Sequence, residues 1–256
     1  VLPVHLKGQC VDSAALRKAA DMHGLWMVTD TCHALGSTYG DFKAGSCTHE
    51  DMATFSFHPV KTIAMGEGGA VTTNNPAWAE KMARLRSHGM VKTPDMAPWF
   101  YEMPELGYNY RASDIHCALG VSQMKKLDRF VERRRELASL YTSLLEPMAP
   151  TITPPKRLNY CNPAWHLYAV QIDFDRLCMD RGTLMNALHE KEIGTQVHYI
   201  PVHQQPYYRN RYGDIDLPGA QHYYERTLSL PLFPAMEEND VRYVVDTLAE
   251  IVGIKG

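Results

Sequence analysis

The chain has 256 residues, of which 45% are hydrophobic and 21% are charged, so it can bury a large core and form two domains. The chain has 26 Lys and Arg against 29 Asp and Glu, which gives a formal charge of -3. This balance excludes the strongly basic character that is typical of proteins that bind nucleic acid or an anionic membrane. No apolar run approaches the roughly 18 residues of a membrane span, and no leader pattern opens the chain, so we expect a cytoplasmic protein. The six cysteines lack a CxxC pair, which favours free thiols over disulfides or zinc.

The first predicted elements are a helix, a glycine and a buried strand. Residues 12–23 have apolar side chains at helical spacing, and Gly24 can end that helix. The apolar run 25–29 then predicts a strand that leads into Asp30. This order is typical of an α/β sheet, which places ligand groups at the C-terminal ends of its strands.

The remaining predicted elements alternate, with a proline-rich break between residues 147 and 155. Ser113 and Asp114 can cap the longest helix. The break predicts the C-terminal part of a large domain over 1–148 and a small α/β domain over 149–256. The predicted elements are strands at 52–57, 69–73, 165–172 and 194–199, and helices at 76–88, 113–145, 182–191, 219–228 and 237–251.

Lys61 and Asp30 are the first candidates for chemistry. Lys61 lies between a predicted strand and a glycine-rich turn, and a lysine amine withdrawn from water is the group that forms Schiff bases. Asp30 ends a separate strand of the same predicted sheet, so both side chains can meet one ligand at the C-terminal edge. A carboxylate facing a pyridine nitrogen keeps that nitrogen protonated. Taken singly, Lys61 would be an ordinary surface lysine and Asp30 a turn or capping residue.

Other residues support or exclude particular ligands. The hydroxyl of Ser56 suits a phosphate, and Gly66, Gly68 and Gly69 allow close backbone approach. No GxGxxG or Walker pattern occurs, so a Rossmann dinucleotide site and a P-loop receive no support. His198 and His203 lack a neighbouring cysteine or carboxylate cluster, so no metal site is predicted.

Several segments resemble the DegT-type nucleotide-sugar aminotransferases. The resemblance covers the whole chain, and the order and spacing of the motifs make it specific. The segments are 30–37 (DTCHALGS), 55–61 (FSFHPVK), 66–71 (GEGGAV), 86–90 (RSHGM), 107–111 (GYNYR), 118–123 (ALGVSQ) and 196–199 (QVHY).

The resemblance implies an α/β fold of fold type I, the aspartate aminotransferase-like transferases that depend on pyridoxal 5'-phosphate. It also implies a homodimer with active sites at the subunit interface. By this resemblance, the residues that contact the cofactor are Lys61 (Schiff base and proton transfer), Asp30 (pyridine nitrogen), His33 (beside the phenolic oxygen), Ser56 (phosphate) and Asn109 (phosphate of the neighbouring subunit's cofactor). The implied contacts to the nucleotide sugar are Gln196, Val197, His198 and Tyr199.

Within the family, the wording of the motifs is most similar to the branch that acts in pseudaminic acid synthesis. That branch transfers the amino group of glutamate to C4 of a UDP-linked 4-keto-6-deoxy-hexosamine, a precursor of cell-surface polysaccharide. Some relatives are dehydratases with histidine in place of the lysine, and Lys61 argues against that activity.

The chain starts at Val1, without an initiator Met, and resembles the family only from a point well inside its large domain. We therefore expect it to be the C-terminal two thirds of a longer protein. Two alternatives stay open: a noncatalytic folded or interaction module of the same fold, and an aminotransferase for a different nucleotide keto sugar.

Overall fold

The computed structural model describes residues 1–95 and 97–254. The chain forms two compact units. The first contains residues 1–129 together with 159–164, and the second contains 130–158 together with the residues from 165 onward. The predicted domain boundary after residue 148 stays a prediction.

Helices and strands alternate along the described chain, as an α/β fold requires. In chain order they are α1 (Ser13–Met22), β1 (Val28–Asp30), β2 (Thr38–Tyr39), β3 (Phe42–Lys43), β4 (Met52–Ser56), β5 (Gly69–Thr72), α2 (Pro76–Arg86), α3 (Asp114–Met124), α4 (Leu127–Leu145), β6 (Ile152–Thr153), β7 (Cys161–Asn162), β8 (Tyr168–Ile172), α5 (Phe174–Leu177), α6 (Arg181–Glu190), α7 (Pro206–Tyr212), α8 (Pro218–Arg226), β9 (Thr227–Leu230) and α9 (Glu238–Val252). In the described ranges, no helix has the length and apolar character needed to cross a bilayer.

The main sheet of the first unit has the strand order β1-β4-β5. Strands β1 and β4 are parallel, with Asp30 beside Thr54, and β5 runs antiparallel to β4, with Gly69 beside Ser56. A Cβ on Gly69 would lie 2.7 Å from the carbonyl oxygen of Phe55, so only glycine fits this contact. Because parallel strands end at the same edge, the sheet brings the ends of β1 and β4 together, as the sequence predicts.

The predicted helix starts are confirmed by their caps. The Asp12 carboxylate accepts the Ala15 N–H at 3.1 Å, and the Ser113 hydroxyl accepts the His116 N–H at 3.3 Å. Each cap satisfies a backbone donor that the first helical turn leaves without a partner. These two interactions are local, which is why the sequence reveals them.

The single helix predicted over 113–145 is wrong, because α3 ends at Met124 and α4 begins at Leu127. At the break, the N–H of Lys126 bonds to the carbonyl oxygen of Gln123, three residues earlier, which interrupts the i to i−4 ladder of an α-helix. Lysine is a good helix former, so the residue types at the break do not predict it.

The second unit packs helices against an antiparallel sheet of strand order β6-β8-β9. Helix α9 buries Val241, Val244, Val245 and Leu248, whose helical spacing places them on one face. Tyr141 of α4 stacks on Tyr168 of β8 with ring centroids 4.8 Å apart. The fully buried side chains of this core include Tyr141, Leu145, Tyr168, Ile172, Leu184, Leu188, Leu228 and Leu248.

In the second unit, one other predicted strand is absent, and one predicted helix is confirmed but ends two residues early. Residues 194–199 do not form a strand, because Gln196 makes only a single bridge, with Ser229. The helix predicted over 219–228 ends at Arg226, and residues 227–230 form the fully buried strand β9. A short apolar run has no periodicity that separates helix from strand, so the pairing with β8 decides the outcome.

Arg134 is a charged residue in the interior of the second unit. It is 5% exposed, and its Nη1 donates to the carbonyl oxygens of Trp165, His166 and Leu232 at 3.2, 3.3 and 2.8 Å. Burial lowers the pKa of the guanidinium to about 10, so it stays charged at neutral pH. Arg134 therefore satisfies three carbonyls that packing removes from water.

We expect Arg134→Met to lower the free energy of unfolding by about 2–4 kcal/mol, because buried carbonyls that lose their donor keep the cost of desolvation. The matched control is Arg135→Met on the same helix, whose surface ion pair with Glu132 spans 3.6 Å and should cost less than about 1 kcal/mol. Urea unfolding of both variants measures the difference. Equal stabilities would contradict the structural role of Arg134.

Candidate active site

Asp30 lies at the C-terminal end of β1, with its backbone held on both sides. Its N–H bonds to the carbonyl oxygen of Pro3 at 2.9 Å, and its carbonyl oxygen accepts the N–H of His5 at 3.0 Å. Its carboxylate Oδ1 accepts the N–H of Cys32 at 2.9 Å. This contact across two residues fixes the orientation of the carboxylate at the edge of the sheet.

The thiol of Cys32 is under the influence of both predicted catalytic residues. The pKa of Cys32 is raised to about 11, mainly by burial and also by the hydrogen bond to Asp30 and the charge of Asp30, whereas the positive charge of Lys61 opposes the rise. The charges of Asp30 and Lys61 therefore both act on the Cys32 thiol. This arrangement agrees with the convergence expected from the sequence, while the role of each residue toward a cofactor stays a prediction.

Lys61 follows β4 in a turn in which its N–H bonds to the carbonyl oxygen of His58 at 2.9 Å. The side chain is half-buried, and Ile63 and Met65 just after it are 2% and 7% exposed. Among the ion pairs of residues 1–95 and 97–254, none includes Lys61. An amine that is not held by a carboxylate is available to react with a carbonyl group.

His33 lies in the interior beside the N-terminal loop. It is 8% exposed, and its Nδ1 accepts the backbone N–H of Lys7 at 3.4 Å. Lys7 has a left-handed backbone (φ 65°), and burial lowers the pKa of its amine. His33 is therefore fixed by the main chain.

Ser56 is the last residue of β4, at the edge where Asp30 ends β1. Its side chain is half-buried, and its hydroxyl accepts the N–H of His58 at 3.4 Å. The following turn is closed by hydrogen bonds from Phe57 N–H to the Gly68 carbonyl and from Met65 N–H to the Phe57 carbonyl, both 2.9 Å. The fold thus places a hydroxyl group near a glycine-containing turn, as the phosphate prediction requires.

Asn109 is positioned by the pairing of two motif segments, 86–90 and 107–111. Its backbone forms a bridge with Ser87, and a Cβ on Gly107 would lie 2.1 Å from the backbone nitrogen of Gly89. Glycine at both positions lets the two segments touch. Asn109 itself is exposed in the single chain.

Gln196, Val197, His198 and Tyr199 belong to the second unit. Gln196 exchanges two backbone hydrogen bonds with Ser229, at 3.2 and 2.8 Å, and His198 Nδ1 lies 2.8 Å from the Ser229 hydroxyl. Val197 is half-buried and Tyr199 is exposed. Their contact with a nucleotide sugar stays a prediction.

The donor set of the first unit fits pyridoxal phosphate by its chemistry. It provides an amine for the aldehyde, a carboxylate for the pyridine nitrogen, an imidazole for the phenolic oxygen and a hydroxyl for the phosphate. These groups are Lys61, Asp30, His33 and Ser56.

Sequence reasoning assigned no role to Lys7 or Cys32. Cys32 lies inside the DTCHALGS segment, where its position two residues after Asp30 could have predicted the hydrogen bond to the carboxylate. Lys7 could not have been found, because a backbone contact to His33 across 26 positions leaves no pattern in the sequence.

The chain is similar to known proteins in sequence and in fold. The sequence pattern of the DegT/DnrJ/EryC1/StrS aminotransferase family matches residues 1–249. The chain is 39% identical to the spore coat polysaccharide biosynthesis protein SpsC of Bacillus subtilis over an alignment of 260 positions, gaps included, which covers 98% of the chain and 66% of SpsC. It is also 39% identical to the UDP-4-amino-4,6-dideoxy-N-acetyl-beta-L-altrosamine transaminase of Campylobacter jejuni over 249 residues, 97% of the chain and 64% of that enzyme.

Among solved structures, the fold matches Helicobacter pylori PseC, described as an aminotransferase involved in the biosynthesis of pseudoaminic acid. The TM-score is 0.92 at 30% identity, and the match covers 98% of this chain and 66% of PseC. The chain therefore spans about two thirds of the length of these relatives. Its extensive match in sequence and fold shows that it belongs to the DegT/DnrJ/EryC1/StrS aminotransferase family, whose members use pyridoxal phosphate.

Proposed function

We propose that this protein is an aminotransferase that moves the amino group of glutamate to C4 of a UDP-linked 4-keto-6-deoxy-hexosamine. The observation that carries the proposal is that Asp30 and Ser56 end the neighbouring strands β1 and β4 at one edge of the sheet, and that Lys61 lies in the turn that follows β4. The substrate class is supported by the Campylobacter relative, whose name specifies a UDP-linked 4-amino-4,6-dideoxy sugar.

Pyridoxal phosphate, when bound, supplies a ring that withdraws electrons from the reacting carbon of the amino donor. Lys61 would hold this group covalently through Nζ, and the same amine would move a proton at the α-carbon of glutamate and at C4 of the sugar. Asp30 would keep a proton on the pyridine nitrogen. Ser56 would donate to the phosphate, and His33 would lie beside the phenolic oxygen.

We also propose that the protein forms a homodimer and that it is located in the cytoplasm. Asn109 is exposed in the single chain, which leaves its amide available to the phosphate site of a second subunit. Gln196, Val197, His198 and Tyr199 would contact the nucleotide sugar, and the polar side chains of Gln196, His198 and Tyr199 can discriminate between substrates.

A different nucleotide keto sugar is the second candidate substrate. SpsC, which is named for spore coat polysaccharide biosynthesis, is as similar to this chain as the Campylobacter transaminase is, at 39% identity in both cases. One name points to polysaccharide biosynthesis and the other to a UDP-linked amino sugar, so the two relatives do not select one substrate.

The test supplies the protein with pyridoxal phosphate, glutamate and either a UDP-linked 4-keto-6-deoxy-hexosamine or dTDP-4-keto-6-deoxyglucose. Mass spectrometry then detects the amino sugar and 2-oxoglutarate. We expect both products with the UDP sugar, and no amino sugar when glutamate is omitted. Faster conversion of the dTDP sugar would replace the proposed substrate, and a protein that binds the cofactor without forming 2-oxoglutarate would be a noncatalytic module.

A further inference from the structure

Two cysteines that are 151 positions apart meet in the interior of the first unit. The backbone N–H of Cys10 lies 3.1 Å from Cys161 Sγ, and the two residues are 1% and 2% exposed. Neither cysteine forms a disulfide in the structure.

Cys161 belongs to residues 159–164, which we call the return segment, because here the chain comes back to the first unit. The return segment pairs with β2, where Cys161 lies beside Tyr39. The N–H of Gly40 bonds to the Tyr160 carbonyl at 2.8 Å, and the N–H of Ala164 bonds to the Ser37 hydroxyl at 2.9 Å. Hydrogen bonds therefore hold the return segment against β2 and the residues beside it.

Cys10, the other residue of the cysteine pair, lies in the N-terminal loop just before α1. The same loop is tied to the candidate site, because Lys7 N–H contacts His33 and the Gly8 carbonyl accepts the Ser37 hydroxyl at 2.6 Å. A bond between Cys10 and Cys161 would join the return segment directly to this loop.

We propose that Cys10 and Cys161 are a modification site, at which a low-molecular-weight disulfide oxidises them to a disulfide that fastens the return segment to the N-terminal loop. In the first step, one cysteine thiolate attacks the oxidant and expels one thiolate. In the second step, the other cysteine attacks the mixed disulfide and expels the second thiolate. The two cysteines thus lose two protons and two electrons, and the oxidant becomes two thiols.

The surroundings of the pair set the rate of this reaction. The hydrogen bond with Cys161 and burial both raise the pKa of Cys10, so the reactive thiolate is scarce while the return segment is closed. Oxidation therefore follows opening of the return segment and is slow. The disulfide closes a loop of roughly 150 residues, which strongly restricts the unfolded chain.

The experiment uses a Cys117→Ser/Cys178→Ser parent, because these two exposed thiols would otherwise react first. The parent is incubated with oxidised glutathione, alkylated and mapped by peptide mass spectrometry without reduction. We expect a cross-link between the peptides containing Cys10 and Cys161, reversal by dithiothreitol, and a melting temperature raised by about 5–10 °C. We also expect hydrogen exchange of the Gly40 amide to slow at least about tenfold, because the closed return segment protects it.

The matched controls are Cys10→Ala and Cys161→Ala in the same parent, each of which should eliminate the cross-link. Both sites are buried, so the melting temperature of the reduced variants is measured first; if one variant does not fold, the other and the Gly40 exchange still provide the test. Glutathione that stays on Cys10 or Cys161 without forming the cross-link would overturn the proposal. So would unmodified thiols after the Gly40 amide has exchanged, or a cross-link that leaves this exchange unchanged.

Discussion

Lys61→Ala should abolish covalent attachment of pyridoxal phosphate and lower aminotransfer by about 10³-fold or more, because one amine serves as both the attachment point and the proton-transfer group. The fold should be retained, since the Lys61 side chain is only half-buried and makes none of the described ion pairs. The measurement is the absorbance of the protein with added cofactor, followed by borohydride reduction and peptide mapping.

The matched control is Lys18→Ala, which removes an exposed lysine of α1 and should leave the absorbance unchanged. Lys7 is the competing residue, because burial lowers the pKa of its amine. Reduced cofactor on Lys7, or the same absorbance in Lys61→Ala after dialysis, would show that the assignment of Lys61 is wrong.

Asp30→Asn should keep the covalent attachment of the cofactor but lower turnover by about 10²–10³-fold, because a neutral amide does not hold a proton on the pyridine nitrogen. The local fold should survive, since the Asn Oδ1 can still accept the N–H of Cys32 in place of the carboxylate. Single-turnover reaction with glutamate, followed by absorbance, separates this loss from a loss of cofactor binding.

Asp41→Asn is the matched control, because Asp41 is exposed between β2 and β3, and it should turn over normally. Asp30→Glu should recover part of the activity, since it restores the negative charge with a longer side chain. Unchanged turnover in Asp30→Asn would contradict the role of Asp30, and loss of the covalent attachment would mean that the carboxylate acts on cofactor binding instead.

Features of the site that depend on residues close together in the chain, or on a general rule of sheet geometry, could be predicted from the sequence. Asp30 and Ser56 each end a strand, and parallel pairing of β1 and β4 brings those ends together by a general rule of α/β sheets. The caps at Asp12 and Ser113 involve residues three positions apart. The motifs that contain Lys61, His33 and Asn109 identified the family, although they did not supply the geometry.

The sequence by itself determined the fold class, the family, most helices and strands, and the candidate residues at the sheet edge, because each of these leaves a local pattern. Only the tertiary structure decided the break between α3 and α4, strand β9, the burial of Arg134 and the contact of Cys10 with Cys161. Arg134 donates a hydrogen bond to the carbonyl oxygen of Leu232, 98 positions later in the chain. The N–H of Cys10 contacts the sulfur of Cys161, 151 positions later. Such contacts depend on which surfaces pack together, and no local spacing of residues encodes that packing.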